Sequence, residues 1–157
     1  MQIRHIVKEA LDLLRATLPT TIELRKNLAK DAGVVNADPT QMHQVIMNLA
    51  TNAGHAMQKD GGKLEISLAN VELDALSASN HLDLAAGSCL RLTVSDTGYG
   101  MTSETMERIF DPYFTTKDTG EGTGLGLSVA QGIVKAHGGA ITVNSELGKG
   151  TDRKSVV

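Results

Sequence analysis

Residues 38–57 read DPTQMHQVIMNLATNAGHAM, and as a helix this stretch presents two unlike faces. Asp38, Pro39 and Gln41 mark its start. They supply an N-cap carboxylate, a proline at the first helical position and an amide placed to reach back as in a capping box. At about 100° per residue, Met42, Val45, Ile46, Leu49, Ala53, Ala56 and Met57 form one apolar stripe toward a core. Gln44, Asn48, Asn52 and His55 form a second stripe, with Thr51 beside it. A solvated face would ordinarily carry Lys and Glu. Asn offers a hard, neutral oxygen suited to Mg²⁺, which takes few protein ligands and leaves the rest to water and phosphate. A polar face touching a loop is the alternative, and the stripe alone leaves both open. "KDGG" at 59–62 ends the helix.

Outward from this helix, Leu64, Ile66 and Leu68 alternate, as do Leu90, Leu92 and Val94, predicting two half-buried strands. The Ala/Ser/Asp/Asn-rich stretch 72–88 between them reads as a long hairpin connection. Upstream, Ile3, Ile6, Val7, Ala10, Leu11, Leu14 and Leu18 recur at helical spacing before Pro19, and strand-like runs occupy 21–28 and 33–37. Downstream, a short helix is expected at 103–109, capped by Thr102 or Ser103 with Glu104 in its first turn. A last helix starts near Gly124 and stops at His137-Gly138-Gly139, and "AITVNSEL" follows as a strand. This order predicts an α+β sandwich, with helices on one face of a mixed sheet.

The chain has 157 residues, 41% hydrophobic and 21% charged, with a formal net charge of −3. That is one ordinary globular domain, without the basic surplus that draws nucleic acid or anionic membrane. One cysteine, Cys89, excludes an internal disulfide and reads as a small residue packed in a strand. The opening "MQIRHIVKEALDLL" lacks the apolar run of a secretory leader, and Gln, Asn and His interrupt 41–58 too often for a membrane span. The expected setting is cytoplasmic, including the cytoplasmic part of a membrane-anchored sensor.

Three further constellations carry chemistry. In "VSDTGYGM", 94–101, a strand delivers Asp96 to its end, and Gly98 and Gly100 permit backbone approaches that side chains would block. Such a carboxylate can accept from an exocyclic amine like that of adenine; a plain turn closing a strand is the other reading. In "TGEGTGLGL", 119–127, glycines lead into a helix whose free N–H groups and dipole favour an anion. Neither the P-loop nor the dinucleotide fingerprint is met there. Lys117 could reach a phosphate or be a solvated surface residue. Finally, all four aromatic residues, Tyr99, Phe110, Tyr113 and Phe114, lie between 99 and 114. They read either as a docking surface or lid hinge, or as a small satellite core.

In order, these segments resemble the ATP-binding domain of sensor histidine kinases, within the gyrase/chaperone/kinase ATPase superfamily. "HQVIMNLATNAGHAM" is similar to its N-box, "DTGYGM" to its first glycine box, "IFDPYFTTK" to its F-box, and "GTGLGLSVAQGIVKAHGG" to its second glycine box. "SELGKGT" is similar to its last glycine motif. The resemblance implies a Bergerat-type two-layer sandwich over residues 1–157, with about five strands, about three helices and an ATP lid at roughly 111–123. It implies Mg²⁺ on Asn52 with Asn48 one turn earlier, His55 near phosphate, and adenine held by Asp96. Gly98, Gly100 and Thr151 would shape that pocket. Thr116, Lys117, Gly122, Gly124, Leu125 and Gly126 would face the nucleotide from the lid, and Asn48, Asn52 and Lys117 would be catalytic. The implied partners are the protein's own dimerisation and phosphoacceptor domain, in a homodimer, and a response regulator receiver domain. Neither nucleic acid nor direct membrane contact is implied.

Two departures stand out. The family continues past this Gly-Thr pair in an apolar strand, whereas this chain reads "GTDRKSVV", a segment foreign to that pattern which bears on Thr151. No histidine is followed by an acidic residue in the acceptor manner, so the acceptor domain is expected before residue 1. An ATP-hydrolysing motor of the superfamily would carry a glutamate base where Asn48 stands. A nucleotide-binding adaptor would not need Asn52, Asp96 and the glycines together, and the F-box disfavours an anti-sigma serine kinase.

Overall fold

The computed structural model describes residues 3–30, 37–57, 61–73, 87–109 and 126–156. The elements run α1 (Ile3–Thr17), β1 (Ile22–Leu28), α2 (Pro39–Ala56), β2 (Gly62–Leu73), β3 (Gly87–Asp96), α3 (Ser103–Arg108), α4 (Gly126–Ala136), β4 (Ala140–Glu146) and β5 (Gly150–Val156). The strands form one mixed sheet in the order β1-β2-β3-β5-β4, with β1 parallel to β2 and every other pair antiparallel. This is the α+β sandwich expected. Of the run expected at 33–37, residues 31–36 lie outside the described residues, as do 74–86 of the hairpin connection.

Period-two alternation decides which sheet face is covered. The register aligns Leu24, Leu64, Asp96, Thr151 and Ser145 in one row across the sheet, and Leu28, Leu68, Leu92, Ser155 and Ile141 in another. Ile66, Val94 and Arg153 occupy the row between them. Onto this face α2 lays Met42, Val45, Ile46, Leu49 and Ala53, all buried, and α1 adds Ile3, Val7, Ala10 and Leu14. Each buried aliphatic side chain contributes about 1.5–3 kcal/mol of transfer free energy. Ala130, Ile133 and Val134 of α4 complete the layer.

Local chemistry fixes the helix ends. Asp38 is the N-cap of α2, its side chain accepting the Gln41 N–H at 3.1 Å, and Thr102 caps α3 through the Thr105 N–H at 3.1 Å. Arg15 ties the end of α1 to β1, donating to Ile22 O at 2.9 Å and Pro19 O at 2.8 Å. The far ends of α2 and α4 are joined through His137: its Nδ1–H donates to Ile133 O at 2.8 Å, leaving Nε2 to accept the Asp38 N–H at 3.3 Å.

The covered face turns polar along β5. Thr151, Arg153 and Ser155 alternate inward and are all buried. Ser155 Oγ has no hydrogen-bond partner among the described residues, and Ser155 borders a cavity of about 20 Å³ whose other described lining residues are apolar. A void of that size fits one water, but an ordered water needs two or more polar partners. Ser155→Val removes the orphan hydroxyl, adds carbon beside the cavity and suits a strand. It is expected to raise unfolding stability by about 1–2 kcal/mol, with Ser155→Ala gaining less. Chemical denaturation of the three proteins measures the order.

Candidate functional site

The last inward position of β3 carries a carboxylate where Leu90, Leu92 and Val94 precede it. Asp96 is 5% exposed. Its Oδ1 accepts the Gly98 N–H at 2.8 Å, a local turn that leads the chain away from the sheet. Its Oδ2 accepts from Arg153 Nη1 at 2.7 Å. Thr151 stands directly opposite Asp96 across the β3–β5 ladder.

The segment after Asp96 is clamped from three sides. Toward β2, Thr97 N–H donates to Lys63 O at 3.3 Å and Lys63 N–H donates to Thr97 Oγ1 at 3.0 Å. Toward α2, Gly98 lies on the last helical turn: a Cβ there would stand 2.6 Å from Ala56 O, and Tyr99 N–H donates to that oxygen at 3.4 Å. Toward the β4–β5 turn, Gly100 adopts φ +74° against the backbone of Glu146 and Leu147, and Gly148 N–H donates to Tyr99 O at 2.8 Å. The third clamp centres on Ser145. Its Oγ accepts the Met101 N–H at 2.8 Å and donates to Gly150 O at 3.0 Å, so the Thr151 hydroxyl, 2.8 Å away, donates into it. Gly150, at φ +111°, has no room for a Cβ beside Asp96 O.

The second half of the site is the polar stripe of α2. Asn48, Asn52 and His55 are half-buried, whereas Gln44 and Thr51 are exposed. Ala56 lies one turn beyond Asn52, so the contact with Gly98 brings the amide face and the Asp96 turn to one end of α2. The structure thus gathers Asp96, Gly98, Gly100 and Thr151 at the C-terminal end of α2, one turn beyond Asn52. Gly126 is the first residue of α4. Thr116, Lys117, Gly122, Gly124 and Leu125 lie outside the described residues, as do Phe110, Tyr113 and Phe114. Tyr99 is 53% exposed, so it belongs to the surface and to no satellite core.

Two participants were missed in the sequence, Ser145 and Arg153. A signal for Arg153 was present, because Thr151, Arg153 and Ser155 share one parity in a strand. Nothing local marked Ser145, whose partners come from the β4–β5 register and from the loop after β3.

A family model described as "Histidine kinase-, DNA gyrase B-, and HSP90-like ATPase" matches residues 37–156. The chain belongs to this ATPase family. Membership implies ATP binding. The ATPase domain is 38% identical over 154 residues to "Sensor kinase CckA" of Brucella abortus (strain 2308), covering 98% of this chain and 16% of that protein. It is 34% identical over 151 residues to "Sensor histidine kinase ZraS" of Salmonella typhimurium (strain LT2), covering 96% of this chain and 29% of that protein. It therefore spans less than a third of either relative. Among solved structures, the nucleotide-free catalytic domain of histidine kinase ThkA superposes with a TM-score of 0.77 at 26% identity. That match covers 100% of this chain and 92% of the other. The mycobacterial sensor histidine kinase MprB shares the fold, with a TM-score of 0.76 at 20% identity over 100% of this chain and 94% of the other. No helix among the described residues is long and apolar enough to cross a membrane.

The Ser145 clamp yields a test in this ATPase domain. Ser145→Ala leaves the Met101 N–H without its acceptor and the Thr151 hydroxyl without its partner. Stability is expected to fall by about 1–3 kcal/mol, read by urea unfolding. An unchanged midpoint and slope would show that the loop after Asp96 is not held through Ser145.

Proposed function

We propose that this chain is the catalytic ATP-binding domain of a two-component sensor histidine kinase. It binds Mg-ATP and transfers the γ-phosphoryl group to a histidine on a separate dimerisation domain. In the full-length homodimer, the phosphoryl group then passes to a response regulator receiver domain. The observation that carries this reading is a half-buried amide stripe on α2 beside a buried strand-end carboxylate, in a chain 34–38% identical to named sensor kinases.

Asp96 accepts the exocyclic amine of adenine, with Thr151 across the ladder and Gly98 and Gly100 keeping the adjoining backbone free of side chains. Mg²⁺ would be held by Asn52, with Asn48 adjoining. The fit rests on donor chemistry: neutral amide oxygens are hard ligands that leave coordination places for phosphate oxygens and water. Bound there, the ion would neutralise charge on the β- and γ-phosphates. His55 faces the same phosphates, and Gly122, Gly124, Leu125 and Gly126 lead into α4, whose N-terminal amides favour an anion. Thr116 and Lys117 contribute from the lid, the lysine as a cation toward the γ-phosphate. No general base is required. A neutral imidazole is a competent nucleophile near pH 7, whereas water would need a carboxylate that Asn48 does not supply.

Phosphotransfer with radiolabelled ATP, with and without an acceptor-domain fragment, tests this division of labour. The chain alone is expected to release little phosphate and to label the acceptor when it is added. Phe114→Ala should reduce labelling more than it reduces nucleotide affinity, because Phe110, Tyr113 and Phe114 serve the protein contact. Rapid phosphate release by the chain alone, lost in Asn48→Ala, would make it a hydrolytic motor instead. At the base, Asp96→Asn is expected to weaken Mg-ADP binding by about 1–3 kcal/mol in titration calorimetry. An unchanged affinity would remove Asp96 from the role.

A further inference from the structure

Asp96 and Arg153 are the two buried charged side chains among the described residues, and they are paired. Arg153 faces the covered side of the sheet opposite Val94, diagonal to Asp96 and two residues beyond Thr151. Its Nη1 stands 2.7 Å from Asp96 Oδ2, while its buried Nε has no acceptor among the described residues. The two facts together bear on which purine such a site admits.

A lone buried carboxylate with a single backbone donor discriminates sharply. Its free oxygen gains a partner from a 6-amino group, whereas a 6-oxo group sets lone pairs against lone pairs. In this chain Oδ2 has a donor before any nucleotide arrives. The amine therefore adds less, and a guanidinium beside the carboxylate offers donors at the same place. A 6-aminopurine can donate its amine to Asp96 and accept at N1 from Arg153. A 6-oxopurine can accept at O6 from Arg153 and donate N1–H to Asp96. Either edge finds a complement.

We propose that Arg153 is a specificity-determining residue of the nucleotide site, making with Asp96 a donor–acceptor pair that admits 6-oxopurine nucleotides alongside 6-aminopurine ones. The inference rests on Asp96 as the base-contacting residue. Selectivity is then a difference between two matched edges and is small.

Calorimetric titration of the chain with Mg-ADP and Mg-IDP is the test. IDP is expected to bind within about tenfold of ADP. Arg153→Met keeps an unbranched apolar stem about as far as the arginine Nε and removes every donor, so it should shift the ratio toward ADP by about tenfold or more. Arg153→Lys retains a cationic donor, and the ratio should stay near that of the unsubstituted chain. Circular dichroism checks each variant for folding, and the unsubstituted and Lys proteins suffice if the Met protein does not fold. IDP more than about a hundredfold weaker than ADP on the unsubstituted chain, or a ratio indifferent to a folded Arg153→Met protein, overturns the proposal. The Asp96→Asn titration separates the two readings. ADP affinity independent of Asp96 removes the base site and this inference with it. ADP affinity dependent on Asp96, with a ratio blind to Arg153, removes this inference alone.

Discussion

The antiparallel pairing of β3 with β5 is the constraint from which the site follows. It sets Asp96 opposite Thr151 and brings Arg153 diagonally to the same carboxylate. It also runs Gly150 against the Asp96 carbonyl, which only a residue without a Cβ permits. One residue of slip would turn Thr151, Arg153 and Ser155 to the opposite face and leave Asp96 with the Gly98 amide alone. The pair itself is a poor source of stability. Desolvating a guanidinium and a carboxylate offsets most of their attraction, and a well-packed apolar pair in their place is often neutral or better. Its presence is better understood through what it does to Asp96.

The loop beyond Asp96 shows how little side-chain chemistry is needed to seat a polar segment. Two glycines let it press against α2 and the β4–β5 turn, and backbone N–H groups of Thr97, Tyr99 and Met101 find acceptors on three different elements. A polar loop seated this way keeps its donors satisfied. The loop meets α2 at Ala56, and helical periodicity keeps the half-buried Asn48, Asn52 and His55 off the stripe that enters the core.

Much of this was legible in the sequence. The capped start of α2, its apolar stripe and the strand-end Asp96 were each set by local periodicity or turn chemistry, and they stand where expected. The strands are longer than their alternation implied, β2 running from Gly62 to Leu73 and β3 from Gly87 to Asp96. An outer residue such as Asn70 is polar and exposed, and ladder pairing rather than burial holds it in a strand. Ser145 and Arg153 escaped notice because each acts through partners fixed by register. The polar inward face of β5 ran against the apolar strand that the family resemblance implied. It forms a strand all the same, because β3 and β4 supply its hydrogen bonds from both sides.

The sequence separation of these pairings also sets the order in which the domain can assemble. β2 and β3 form the central hairpin, the more local of the antiparallel pairings made by β3, whereas the contact between Asp96 and Arg153 closes a span of 57 residues. The tie between Asp38 and His137 closes one of 99. Chain entropy must be spent before such distant pairings return any free energy. A partly folded chain with the hairpin made and β5 undocked would carry Asp96 at an open sheet edge, hydrated and unpaired. Docking of β5 is then the event that both completes the sheet and desolvates the carboxylate, so native structure and the Asp96–Arg153 pair arrive in the same step.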